Sequence, residues 1–188
     1  TDPVAVLATM ESAGILQSYL PGPYDPPALT RLIEFEPKVA DPILRLAAFA
    51  PERPEQAFRA STRMRFSNAE AARFTSLSQT NLAEIPDDPA ICRQIYINGN
   101  SLFEDLVRLG YASGGFDREQ AEDLVARSKD WPKPDLPLRG ADLVKMGIAA
   151  GPEVGNLLRK IETWWIERDF GPGHEECLAE VHRIAGKE

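Results

Sequence analysis

The chain has 188 residues, 43% of them hydrophobic and 27% charged, with a net charge of −8. Its apolar runs are far shorter than the ~20 residues needed to cross a bilayer, so a membrane-spanning helix is excluded. An acidic chain repels nucleic acid at long range, which disfavours a general RNA-coating protein and confines any RNA contact to a local basic patch.

Proline and glycine punctuate a series of helical patterns. Asp2-Pro3 reads as a cap followed by a first-turn proline. The helix it opens carries Val4, Leu7, Met10, Ile15 and Tyr19 on one stripe and is expected to stop at the PGPYDPP loop. A second helix follows Pro27, with Leu29, Leu32, Ile33 and Phe35 apolar. DPILRLAAFAP repeats the Asp-Pro start at Asp41 and closes at Pro51, and a further helix is expected over Glu55–Arg63. Ser67, followed three residues later by Glu70, predicts a capping box in which each side chain satisfies a first-turn amide. After PDDPA, helical spacing resumes over residues 90–111, weakened or kinked at Gly99. SGGF is a turn, and Asp117 with Gln120 opens a helix to about Lys129. Pro132, Pro134 and Pro137 then enforce an extended path. Beyond it come GADLVKM, PEVGNLLRKIETWW and an amphipathic HEECLAEVHRI.

No segment alternates apolar and polar residues over strand length, so the expected fold is all-α. Residues 1–130 read as a multi-helical body of short helices, 131–139 as a Pro-rich linker, and 140–188 as a smaller C-terminal helical subdomain resembling a helix-hairpin-helix unit. Cys92 and Cys177 lack CxxC spacing, predicting two small buried thiols in a reducing cytoplasm. No basic and then apolar leader is visible at the start.

The junction GIAAGP, residues 147–152, holds the densest chemistry. Pro152 suits a first helical position, with Gly151 as cap and Gly147 closing the preceding helix in a left-handed conformation. The amides near Val154 and Gly155 then lie at the positive end of the helix dipole, where an anion is favoured. Arg139, Lys145, Arg159 and Lys160 lie close in sequence. The competing reading is that Gly147, Gly151 and Gly155 only let two helices pack closely. Val154, Leu157, Leu158, Ile161, Trp164 and Trp165 form the opposite, core-facing stripe.

The stretch LPLRGADLVKMGIAAGPEVGNLLRKIETWWIERDF resembles the C-terminal segment of the bacterial tRNA nucleotidyltransferase and poly(A) polymerase family, the CCA-adding enzymes. The positions carrying the likeness are Gly140, Asp142, Leu143, Gly147, Gly151, Pro152, Val154, Gly155 and Leu158. Upstream, DPILRLAAFAPE and RMRFSNAEAARF are similar to the family's body region, and PVAVLATMESAGILQSYLP to the segment after its neck. The resemblance implies a C-terminal body and tail without the catalytic head. The family's Gly-Ser with Asp-x-Asp, which would hold two Mg2+ ions for transfer from CTP or ATP, has no counterpart here. The implied role is to hold tRNA by shape and backbone for a partner N-terminal catalytic domain. Implied contacts are Arg139, Lys145, Gly151, Val154, Gly155, Arg159 and Lys160, together with Arg59, Arg63, Arg65 and Arg73 from the most basic short run. The chain alone is then expected to be catalytically silent, with no cofactor of its own.

Two other classes stay open. One is a protein-interaction or scaffold module of helix pairs with no RNA role. The other is an independent enzyme built on the acidic clusters. His174, Cys177 and His182 are poorly spaced for a metal, and no nucleophile elbow, P-loop or dinucleotide fingerprint occurs.

Overall fold

A computed structural model describes residues 3–20, 22–37, 39–50, 54–79, 82 and 87–186. Among them the protein is all-α, as expected, with ten α-helices, one 3-10 turn and no strand. No described helix is long and apolar enough to cross a membrane. The chain divides into two compact units: Thr1–Asp87 with Asn98–Trp131, and Asp88–Ile97 with Pro132–Glu188.

The first unit begins with α1, Pro3–Ser12. Its Asp2 cap lies outside the described residues. The helix ends well before the PGPYDPP loop, because Gly14 turns left-handed at φ +69° and a 3-10 turn, Leu16–Ser18, follows. The expected apolar stripe therefore breaks. Leu16 and Leu20 become core residues while Ile15 and Tyr19 are exposed, and no residue of α1 itself is buried.

Helices α2, Pro26–Phe35, and α3, Pro42–Phe49, both start on Asp-Pro. Asp25 accepts from the Ala28 amide at 2.9 Å, and Asp41 accepts from Ile43 and Leu44 at 3.0 Å. Each proline sits where no intrahelical donor is needed. The stop expected at Pro51 lies outside the described residues. Helices α4, Pro54–Arg63, and α5, Asn68–Gln79, pack on each other, and α3 packs on α5. Ser67 and Glu70 form the expected capping box: the Ser67 amide donates to Glu70 at 2.8 Å and the Glu70 amide to Ser67 Oγ at 3.3 Å. Those bonds from Ser67 hold the Glu70 carboxyl below its ordinary range. Leu29, Leu32, Leu44, Phe49, Phe74 and Phe103 are among the most deeply buried side chains of this unit.

Helix α6 spans Asp88–Ser113 but is broken at Gly99, whose φ of 74° and ψ of 159° are non-helical. The predicted weak point is thus a true interruption. The part before it belongs to the second unit, although its spacing reads as continuous with the part after it. Helix α7, Arg118–Asp130, opens on a capping box between Asp117 and Gln120.

The second unit contains α8, Gly140–Lys145; α9, Pro152–Ile166; and α10, His174–Ala185. Its core is Leu138, Leu143, Leu157, Ile161, Trp165, Cys177 and Val181. Residues 132–139 form neither helix nor strand, and they are anchored to this unit. Leu138 is in its core, the Pro137 carbonyl meets His174 Nδ1 at 2.6 Å, and Lys133 lies 4.5 Å from the Tyr96 ring centre. Tyr96 in turn donates to Glu162 at 2.7 Å and stands edge-on to Trp165. Burial and the Glu162 carboxylate push the Tyr96 hydroxyl up to about 12. Neither Cys92 nor Cys177 is in a disulfide; Cys177 is buried and Cys92 half-buried.

Candidate nucleic-acid interface

The junction between α8 and α9 is built by short-range rules. Asp142 accepts from the Arg139 amide at 3.0 Å, which fixes the start of α8 and is the main reason its carboxyl stays below the ordinary range. At the other end Gly147 is left-handed at φ +91°. Its amide donates to Val144 at 3.0 Å and the Ile148 amide to Leu143 at 3.2 Å. This is a Schellman closure, in which two late carbonyls find donors across a left-handed glycine. Gly151 at φ +149° then leads into Pro152, the first residue of α9.

The four glycines of the motif fall into three kinds of surroundings. Gly140 lies in a tight approach, since a Cβ there would sit 3.2 Å from Val154 Cγ1 and 3.8 Å from Leu158 Cδ1. Gly147 and Gly151 have open space but hold backbone angles that L side chains rarely adopt. Gly155 has neither reason. It is helical and exposed, and a Cβ added to it would meet nothing within 4 Å. A helical glycine costs about 1 kcal/mol relative to alanine, so nothing within the described residues compensates for this one.

Gly151, Gly155 and Arg159 are spaced four apart and share one side of α9. The Arg159 side chain lies back along that side, with Nε 3.4 Å from the Gly155 carbonyl and Nη2 on Asn156 Oδ1. Glu153, Asn156, Arg159, Lys160 and Thr163 border a shallow recess of about 400 Å³. Lys145 is 78% exposed and lies 3.4 Å from Asp142. The Arg139 side chain is exposed and makes no ion pair with a described residue. Val154 is half-buried and faces the core instead, as do Leu158 and Trp164. Trp165, at 2% exposure, is fully internal, and its indole donates to the Pro172 carbonyl at 3.0 Å.

The four arginines of the first unit separate into two kinds. Arg59, Arg63 and Arg65 are exposed, and no ion pair with a described residue holds them. Arg73 is committed. Its Nη2 bridges Asp41 at 2.7 Å and Asp105 at 2.6 Å, tying α5 to the cap of α3 and to α6. Burial alone would raise the Asp41 carboxyl, but Arg73 and the Leu44 and Ile43 amides outweigh it and hold it low. Asp105 is more deeply enclosed, and there burial wins over Arg73 and Arg108 and raises the carboxyl. Phe58 on α4, 64% exposed beside Arg59, is an outward ring that helical spacing could have revealed. The buried face of α4 is Ala57, Ala60 and Ser61, which leaves Phe58 off the stripe.

These residues do not fit a two-metal centre. The two carboxylates that converge, Asp41 and Asp105, share a guanidinium, and no group of three potential ligands occurs among the described residues. His174 is engaged with Pro137, and the Cys177 sulfur lies 3.9 Å from the Pro172 carbonyl. In comparisons with known proteins, no family model matches the chain and no curated protein matches it.

Proposed function

We propose that this chain is a substrate-positioning, RNA-binding region of a tRNA nucleotidyltransferase-like protein, with bond formation carried out by a catalytic domain outside the chain. The observation that carries the reading is Gly155: a helical glycine, exposed and bare, between Gly151 and Arg159 on one side of α9. With no side chain of its own at Gly151 or Gly155, and Arg159 lying beside them, this side lets a phosphodiester backbone approach the first-turn amides of α9, whose dipole end favours an anion. Arg159 and Lys160 supply charge beside it, and Arg139 and Lys145 lie on the flanking segment. In the first unit, Arg59, Arg63 and Arg65 offer further cations, and the Phe58 ring offers a stacking face. Interactions of this kind read RNA by shape and backbone rather than by base sequence.

The test is tRNA binding measured over a series of salt concentrations. Affinity is expected to fall as salt rises, and Arg159→Glu is expected to weaken binding and flatten that dependence. Wild-type protein that ignores tRNA at low salt would refute the reading. Incubation with tRNA lacking its 3′ end, CTP, ATP and Mg2+ tests the second half, since nucleotide addition by the pure chain would place the chemistry here. The exposed Phe58 and Ile97 side chains favour a protein-interaction module as the alternative. Co-purifying protein partners without any tRNA affinity would decide for it.

A further inference from the structure

The first unit contains an apolar cleft that the RNA reading leaves unused. Leu7 and Met10 of α1, Leu16, Tyr19 and Leu20 of the turn after it, Leu46 of α3 and Met64 enclose about 540 Å³. That size lies within the roughly 300–1,000 Å³ typical of small-ligand sites. The apolar seam continues beneath α1, where Leu7 and Leu46 also border a second recess of about 120 Å³ with Leu29 and Phe49. Helix α1 thus roofs a space that it does not fill, and none of its own residues is buried.

Among the described residues, the only charged groups lining the cleft are Arg63 and Arg65. Neither makes an ion pair with a described residue, and no carboxylate is among the described lining residues. Arg65 is held at the end of α4 in a left-handed turn, φ +57°, with its amide on the Thr62 carbonyl at 3.2 Å. Two guanidiniums at the border of an apolar cavity, in a chain of net charge −8, are complementary to a ligand with an oily body and an anionic end. A nucleobase fits less well. Apart from the two arginines, the described lining side chains offer one polar group, the Tyr19 hydroxyl, and a base edge needs several donors and acceptors.

We propose that this cleft binds a small amphipathic anion, its hydrocarbon portion between α1 and α3 and its carboxylate or phosphate on Arg63 and Arg65. Occupancy fills the space under α1 and holds that helix down. The cleft shares Arg63 and Arg65 with the RNA reading, but the residues that carry that reading, Gly155 and Arg159, lie in the other unit.

The probe is decanoate at monomeric concentrations, with equilibrium dialysis for affinity and hydrogen exchange over residues 3–12 for the state of α1. Saturable binding with one site and slowed exchange in α1 are expected. Decanol and decyltrimethylammonium are expected to bind about tenfold or more weakly, for want of charge-assisted hydrogen bonds. Arg63→Ala with Arg65→Ala should reduce decanoate to the decanol level. Met10→Trp, at a half-buried site, should block all three probes by filling the cleft while leaving tRNA binding intact. Equal binding of the cationic probe, or indifference to both variants, would overturn the proposal. So would flotation with anionic vesicles without saturable decanoate binding, which marks a lipid-surface interaction. A dimer broken by Met10→Trp with no decanoate bound would give the cleft to a second copy and also overturn it.

Discussion

Gly155→Ala separates stability from recognition, because the two are expected to move in opposite directions. The new Cβ meets no atom within 4 Å, and the residue is already helical. Replacing glycine by alanine under those conditions stabilises by about 0.5–1 kcal/mol, mainly by reducing the freedom of the unfolded chain. For a chain of this length each kcal/mol corresponds to about 2–4 °C in Tm. Urea and thermal denaturation should therefore show a more stable protein. The tRNA affinity should fall about tenfold, the scale of one charge-assisted hydrogen bond that a phosphate can no longer make once the added methyl keeps it from the backbone. Two neighbours serve as controls. Gly147→Ala is expected to cost about 1–2 kcal/mol, since φ +91° strains any Cβ-bearing residue. Gly140→Ala should also destabilise, because Val154 must move from 3.2 Å. If Gly155→Ala destabilises, some part of the chain covers that face. If it stabilises and leaves tRNA affinity unchanged, the glycine is not kept for RNA.

Arg73→Ala leaves Asp105, whose side chain is only 7% exposed, without its main partner; a loss of about 1–3 kcal/mol is expected by urea denaturation. A stable Arg73→Ala protein that loses tRNA binding would instead return Arg73 to the interface. Tyr96 should titrate near pH 12, and its neutral form is the one the fold favours. Its stabilising contribution is thus complete below pH 10 and is lost as pH rises from about 10 to about 12, an effect that Tyr96→Phe should abolish. Absorbance at tyrosinate wavelengths follows the titration, and ionisation of all tyrosines near pH 10 would contradict it. Gly110→Ala should be among the most damaging single changes, since its Cβ would lie 2.5 Å from the Leu82 carbonyl and 2.6 Å from the Phe116 ring. A folded variant with unchanged Tm would show that this approach is looser than it stands.

Local signals in the chain were enough for the helical class, the Asp-Pro start at Asp41, the capping boxes at Ser67 and Asp117, and the left-handed glycine that closes α8. Each depends on interactions within a few residues, so its outcome is written in neighbouring side chains. Even the break at Gly99 is local, because glycine alone adopts its angles without strain. Long-range pairing is different in kind. Arg73 reads as one more cation in a basic run until α3 and α6 bring Asp41 and Asp105 to it. Residues 132–139 read as a spacer until Leu138 and Pro137 find α10 and the core of the second unit. The motif glycines look alike as letters, yet only their surroundings distinguish an internal approach at Gly140 from an open face at Gly155. Helix and cap formation are decided by short-range sterics and hydrogen bonding. The partner of a charge, and the atoms opposite a missing side chain, are decided by where distant segments come to rest.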